Sequence, residues 1–248
     1  MRISTLLLAT IFTAAAPLAV AQAGTLVTNG DFSSTSPNTT VSTQFGTSYS
    51  AGQFITDWTG NNGYQLWFPN ATAATTEDAV GQYTYTGQEK LWQVTASPNG
   101  GAFIGLDGDQ TPGVQSSISQ VINNLVAGDK YAVTFDWGAA QVQSRTGATT
   151  EQLQVSLGSS SLLTQVINNP SGGFTGWYTT TLDFTATSVS EALQFLSIGT
   201  PSGEPPMAVL DGVTMTQVPE PSTIALFGAA IVGLGLAWRR RQRANTKA

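Results

Sequence analysis

No cysteine and no histidine occur in the 248 residues, and charged residues make up only 10% of them. Without cysteine there is no disulfide framework, zinc knuckle or iron–sulfur site. Without histidine there is no Ser-His-Asp or Cys-His nucleophile pair, no imidazole metal site and no side chain that titrates near neutral pH at its ordinary pKa. No G-x-S-x-G elbow occurs, and neither Lys90 nor Lys130 stands in an S-x-x-K pattern. The chemistry left is that of a carboxylate-based enzyme, a binding module or a structural surface protein.

Both ends of the chain read as addresses and not as fold. Residues 1–23 place Arg2 before an apolar stretch from Leu6 to Val20 and close on Ala21-Gln22-Ala23. This order of charged region, apolar region and A-x-A site predicts a secretory signal peptide cleaved after Ala23. At the other end, Pro219-Glu220-Pro221 precedes an uncharged run from Ile224 to Trp238 and then Arg239-Arg240-Arg241-Gln242-Arg243. As a helix that run reaches roughly 22 Å, short of the roughly 30 Å hydrocarbon core, so it spans with snorkelling arginines or local thinning. The arginine cluster sets its own side as cytoplasmic and puts the preceding chain outside the membrane.

Residues 218–248 resemble the PEP-CTERM sorting signal of Gram-negative bacteria, with a Pro-Glu-Pro motif, a short hydrophobic helix and an arginine-rich tail in that order. The resemblance implies that an exosortase, a membrane transpeptidase, acts on Pro219, Glu220 and Pro221. It further implies a transient inner-membrane anchor through 224–238, then release to the outer surface or the extracellular matrix, where such proteins accompany exopolysaccharide and biofilm.

Between the ends, residues 24–217 carry three basic residues, Lys90, Lys130 and Arg145, against 14 acidic ones, a net charge of −11 compared with −6 for the whole chain. Nucleic acid, which needs clustered cations, is excluded as a partner. Neutral glycans, divalent cations and cationic partners stay open. No long window repeats apolar residues at helical spacing, whereas Tyr131, Val133, Phe135 and Trp137 alternate with smaller or polar residues, as do Leu153, Val155 and Leu157. Leu193 and Phe195 do the same, and Val209, Asp211, Val213 and Met215 form another period-2 row. The ser- and thr-rich stretches 33–50, 71–78 and 141–150 read as loops. Short strands with Gly, Pro and Asn punctuation predict one all-β domain, an antiparallel β-sandwich of jelly-roll type.

That region also resembles the galactose-binding-like jelly rolls of secreted bacterial proteins. The resemblance rests on Leu26-Val27-Thr28-Asn29-Gly30-Asp31-Phe32, on Trp58, on Ile122 to Asp136, and on Leu210-Asp211-Gly212-Val213. It implies that the first and last strands lie close together and that the protein binds a sugar or a structural calcium ion, which some members do and others do not.

Asp211 shares the alternation of Val209, Val213 and Met215 and so points into an apolar layer, where a carboxylate needs donors or a cation. Calcium, ligated by Asn29, Asp31 and Asp211, is one reading. A bulge or turn before Gly212, capped by backbone amides, is the simpler one. Asp107-Gly108-Asp109 likewise reads either as calcium ligands or, more simply, as a tight turn. For glycan stacking the candidates are Trp58, Tyr64, Trp67, Trp92 and Trp177, each also readable as a core or rim residue, while Trp137 is read as core. The expectation is an exported, non-enzymatic protein that binds neutral carbohydrate. A purely structural or adhesive protein is the alternative, and a carboxylate-dependent glycan hydrolase a more distant one.

Overall fold

Alternating apolar and polar residues bury one face of each strand, and in the computed structural model this pattern builds two packed antiparallel sheets. The structure describes residues 24–35, 55–61, 63–76, 90–204 and 206–219. Ala21, Ala23, most of 33–50, Glu220, Pro221 and the run 224–238 lie outside the described residues. Among the described residues no helix is long and apolar enough to cross a membrane.

In chain order the elements are β1 (Thr59–Asn61), β2 (Gln65–Phe68), α1 (Ala71–Thr76), β3 (Phe103–Asp107), β4 (Ser117–Asn123), β5 (Lys130–Gln141), β6 (Thr149–Leu157), β7 (Ser160–Leu163), β8 (Ile167–Asn169), β9 (Tyr178–Thr185), β10 (Ser190–Thr200) and β11 (Pro206–Gln217). The first sheet runs β1-β4-β10-β6-β7, with β8 also on β6, and the second runs β2-β3-β11-β5-β9. The result is the jelly-roll sandwich that the strand periodicity predicts.

The four expected rows all lie in strands. On β5, Tyr131, Val133, Phe135 and Trp137 are buried, and on β6 every second residue from Thr149 to Leu157 is buried. Phe135 of one sheet meets Phe195 of the other edge to face, with ring centroids 5.1 Å apart, so these rows form the inter-sheet core. Each such side chain contributes on the order of 1.5–3 kcal/mol through burial.

Two loop expectations need correction. Ala71–Thr76 is a helix turn and a half long, its start capped by Asn70 Oδ1, which accepts from the Ala73 amide at 2.9 Å. Three alanines favour it, and Ala74 is fully buried, but six residues are too few to show a period. The loop at 141–150 is shorter than expected at both ends, because Gln141 still belongs to β5 and Thr149 and Thr150 already belong to β6.

The first residues run beside the last strand. Leu26 N donates to Met215 O at 2.8 Å, and Val213 N donates to Gly30 O at 2.9 Å. This contact brings 24–31 next to β11, as the jelly-roll resemblance implies.

Candidate functional site

Three short stretches meet at the edge of the first sheet: the opening residues Thr25 to Thr28, the turn Thr56 to Trp58 with the start of β1 at Thr59, and the end of β4 from Gln120 with the following Asn124. Gln120 ties them together. Its Nε2 donates to Thr28 O at 2.9 Å and Asp57 O at 3.1 Å, and its Oε1 accepts from the Thr28 amide at 2.9 Å. The open groove between them has a volume of about 750 Å³, within the roughly 300–1,000 Å³ range of ligand pockets. Its walls are threonine hydroxyls, the amides of Asn123 and Asn124, and one carboxylate, Asp57. Among the described residues no lysine or arginine lines it.

The aromatic candidates separate into two kinds. Trp58 lines this groove but is only 2% exposed, and its Nε1 donates to Asn29 O at 3.0 Å while its ring packs on Phe32 and Phe195. It is the floor of the groove and has no free ring face for stacking. Trp67, 9% exposed, donates from Nε1 to Phe32 O at 2.9 Å and sits in β2, whose four residues are all buried. Tyr64, half-buried, precedes β2 and bonds through its backbone to Val114 and Asp107. Strand alternation alone could not show that β2 is covered on both faces.

Trp92 and Trp177 are half-buried on loops at the other end of the molecule. Trp92 donates to Arg145 O at 3.2 Å and lies against Gly172, while Trp177 donates to Thr95 O at 2.9 Å and packs on Phe103 and Phe174. The structure therefore does not bring the five aromatic residues to one platform. Trp137 is fully buried.

Asp211 lies at a β-bulge, as the simpler reading has it. The register with β5 slips between Asp211, opposite Asp136, and Thr214, opposite Thr134. The extra residue reverses the alternation, so Asp211 shares a face with Thr214, whereas Val213 and Met215 turn to the core. Its carboxylate accepts from Ser97 Oγ and from the Gly212 amide. Burial nevertheless pushes its pKa up to about 6, with the Asp136 and Asp31 charges adding to the rise.

Asn29 does not share that carboxylate. Its Nδ2 donates to Ser34 O and Thr56 O, and its Oδ1 accepts from the Ser34 amide, so the side chain closes its own loop. Asp31 accepts from Ser33 N at 3.3 Å. Among the described residues no group of three or more acidic side chains converges to hold a metal ion.

The Asp107-Gly108-Asp109 segment is not the tight turn of the simpler reading: Asp107 closes β3 and Asp109 bridges to Gly199, while Asp107 Oδ1 accepts from Asp109 N, and the Asp109 carboxylate accepts from Thr111 N and Gly203 N. Behind it lies Glu151, a carboxyl in the core row of β6 that no sequence pattern had singled out. Glu151 Oε1 accepts from Ser197 Oγ at 2.8 Å, and Oε2 has no hydrogen-bond partner. Burial pushes Glu151 up to about 8 and Asp107 up to about 7. The pair is sealed inside the sandwich, away from the groove.

A family model described as "Protein of unknown function (DUF642)" matches residues 70–216, more than half of the chain. The chain belongs to the DUF642 family. The PEP-CTERM protein-sorting motif also matches, over residues 217–241. No curated protein matches the sequence. Among solved structures, the chain is similar to TmCBM61 in complex with β-1,4-galactotriose at 12% identity, covering 66% of this chain and 90% of that one with a TM-score of 0.39. It is also similar to CBM35 from Paenibacillus barcinonensis, at 17% identity over 65% and 93% of the two chains with a TM-score of 0.32. A third is the K3 cleaved adhesin domain of Lys-gingipain from Porphyromonas gingivalis, at 12% identity over 65% and 92% with a TM-score of 0.39.

Proposed function

We propose that this DUF642 protein is exported, sorted through its C-terminal motif and binds a neutral carbohydrate, without catalysis, in the groove between Thr25–Thr28, Thr56–Thr59 and Gln120–Asn124. The groove itself carries the proposal: about 750 Å³, open, walled by hydroxyls and amides, and free of lysine and arginine. Those groups exchange hydrogen bonds with sugar hydroxyls, and the absence of cations there favours a neutral chain over an anionic one. Hydrolysis of a glycosidic bond calls for two carboxyl groups flanking it, and among the described residues the groove lining holds one, Asp57.

Sorting follows from the motif at 217–241. In this reading an exosortase acts on Pro219-Glu220-Pro221, the run 224–238 holds the precursor in the inner membrane, and the product reaches the outer surface or an exopolysaccharide matrix.

The test of the groove is a double variant, Asn123→Ala with Thr59→Val. Both side chains are exposed, so the fold is spared. Losing two hydrogen-bonding groups at about 1 kcal/mol each weakens affinity for a bound neutral polysaccharide roughly tenfold or more. Equal affinity of the variant and the parent protein removes the groove from the proposal.

A further inference from the structure

The sorting motif joins the sandwich without a linker. β11 ends at Gln217, opposite Tyr131 of β5, and the next amide, Val218 N, still donates to Lys130 O at 2.8 Å. Gln217 Nε2 also donates to the Asp129 carboxylate. Five residues, spanned by six peptide steps, lie between Val218 and Ile224, where the apolar run begins. Fully extended they cover about 20 Å, and two prolines among them stiffen the stem.

The headgroup layer itself occupies roughly 5–8 Å of that distance. The end of the sandwich around Val218 is thereby tethered close to the bilayer surface. The same end carries the turn between β4 and β5 and the turn between β9 and β10, which are bonded to each other: Leu125 N donates to Val189 O, and Gly128 N to Ala186 O. At their tips Val126 is 51% exposed and Val189 is 67% exposed. Their neighbours Asn124, Ala127, Gly128, Thr187, Ser188 and Ser190 are uncharged.

We propose that the turns Leu125–Gly128 and Ala186–Ser190 form a membrane-facing surface whose two exposed valines enter the lipid headgroup layer while the precursor is anchored. This rests on the reading of 224–238 as the anchor. Uncharged tips bearing branched apolar side chains suit that boundary, where apolar contact and headgroup hydrogen bonds are both available. The tether supplies the high local concentration that two valines alone could not.

The experiment uses the full chain in vesicles of phosphatidylethanolamine and phosphatidylglycerol. The chain has no cysteine, so one introduced thiol takes one label. A polarity-sensitive dye goes on Val126→Cys, on Val189→Cys, or on Ser202→Cys, which lies past the far end of β10, about 35 Å away along its 11 residues. Lipid-attached nitroxide is expected to quench the first two several-fold more strongly than the third. Equal weak quenching at all three sites in a chain that floats with the vesicles overturns the proposal and leaves the anchor standing. A chain that does not float overturns the anchor and the proposal with it.

Discussion

Gly212 holds φ at +61°, and a Cβ there would overlap the side-chain amide of Asn99. Both facts oppose any other residue, and the bulge they permit turns Val213 and Met215 to the core while leaving Asp211 on the opposite face. Gly212→Ala is expected to cost about 2–3 kcal/mol, from left-handed strain and the displaced Asn99–Asp136 hydrogen bond. Denaturant unfolding checks this, and a loss within experimental error would mean that the bulge relaxes freely. Trp58 makes the complementary point. It lines the groove, yet its indole serves by fixing Asn29 and the floor, not by offering a face.

At the scale of elements, β3 and β6 carry the most pH-dependent feature of the structure. Asp107 and Glu151 feel one another's charge across the two sheets, and the Gly108 backbone presses on Glu151 so closely that a Cβ would sit 2.8 Å from both carboxyl oxygens. Both groups bind protons more tightly when folded, at about 7 and about 8 against 3.8 and 4.5 as ordinary values. Their contribution is therefore complete in acid, below the ordinary values, and is lost as pH rises through 7 and 8. Thermal melts of the protein should show Tm falling between pH 5 and pH 8.5, and Glu151→Gln, which carries no titrating proton, should flatten that fall. An unchanged slope in the variant would place the titration elsewhere.

How far the sequence reveals these elements depends on how local their cause is. The rows of β5 and β6 are visible because a period of two along one strand is enough to define a buried face. The bulge at Gly212 is invisible as a register shift, since it depends on where β5 lies opposite β11. The burial of Trp67 depends on β2 being covered on both faces, and the groove depends on three separated stretches, held together by Gln120, that only the fold assembles. Glu151 sits in a plain strand pattern among glutamines and serines, and nothing in that pattern marks it as sealed.

For the whole molecule, the C-terminal motif is the most legible part, because an address signal is read as a linear segment. The motif matched at 217–241 agrees with the reading of Pro219-Glu220-Pro221 followed by an apolar run and arginines. Replacing those three residues with alanines is expected to leave the protein in the inner-membrane fraction, and normal release of that variant would contradict the sorting reading. The working part between the ends, at a net charge of −11 with its three cations outside the groove lining, meets its surroundings as an acidic body whose groove is walled by hydroxyls and amides beside the Asp57 carboxylate.

Hydrogen–deuterium exchange of the protein saturated with a neutral polysaccharide tests that account most directly. Slowed exchange is expected at residues 25–28, 56–59 and 120–124, with the loops of Trp92 and Trp177 unchanged. Protection confined to those tryptophan loops, or no protection with any neutral polysaccharide, would contradict it.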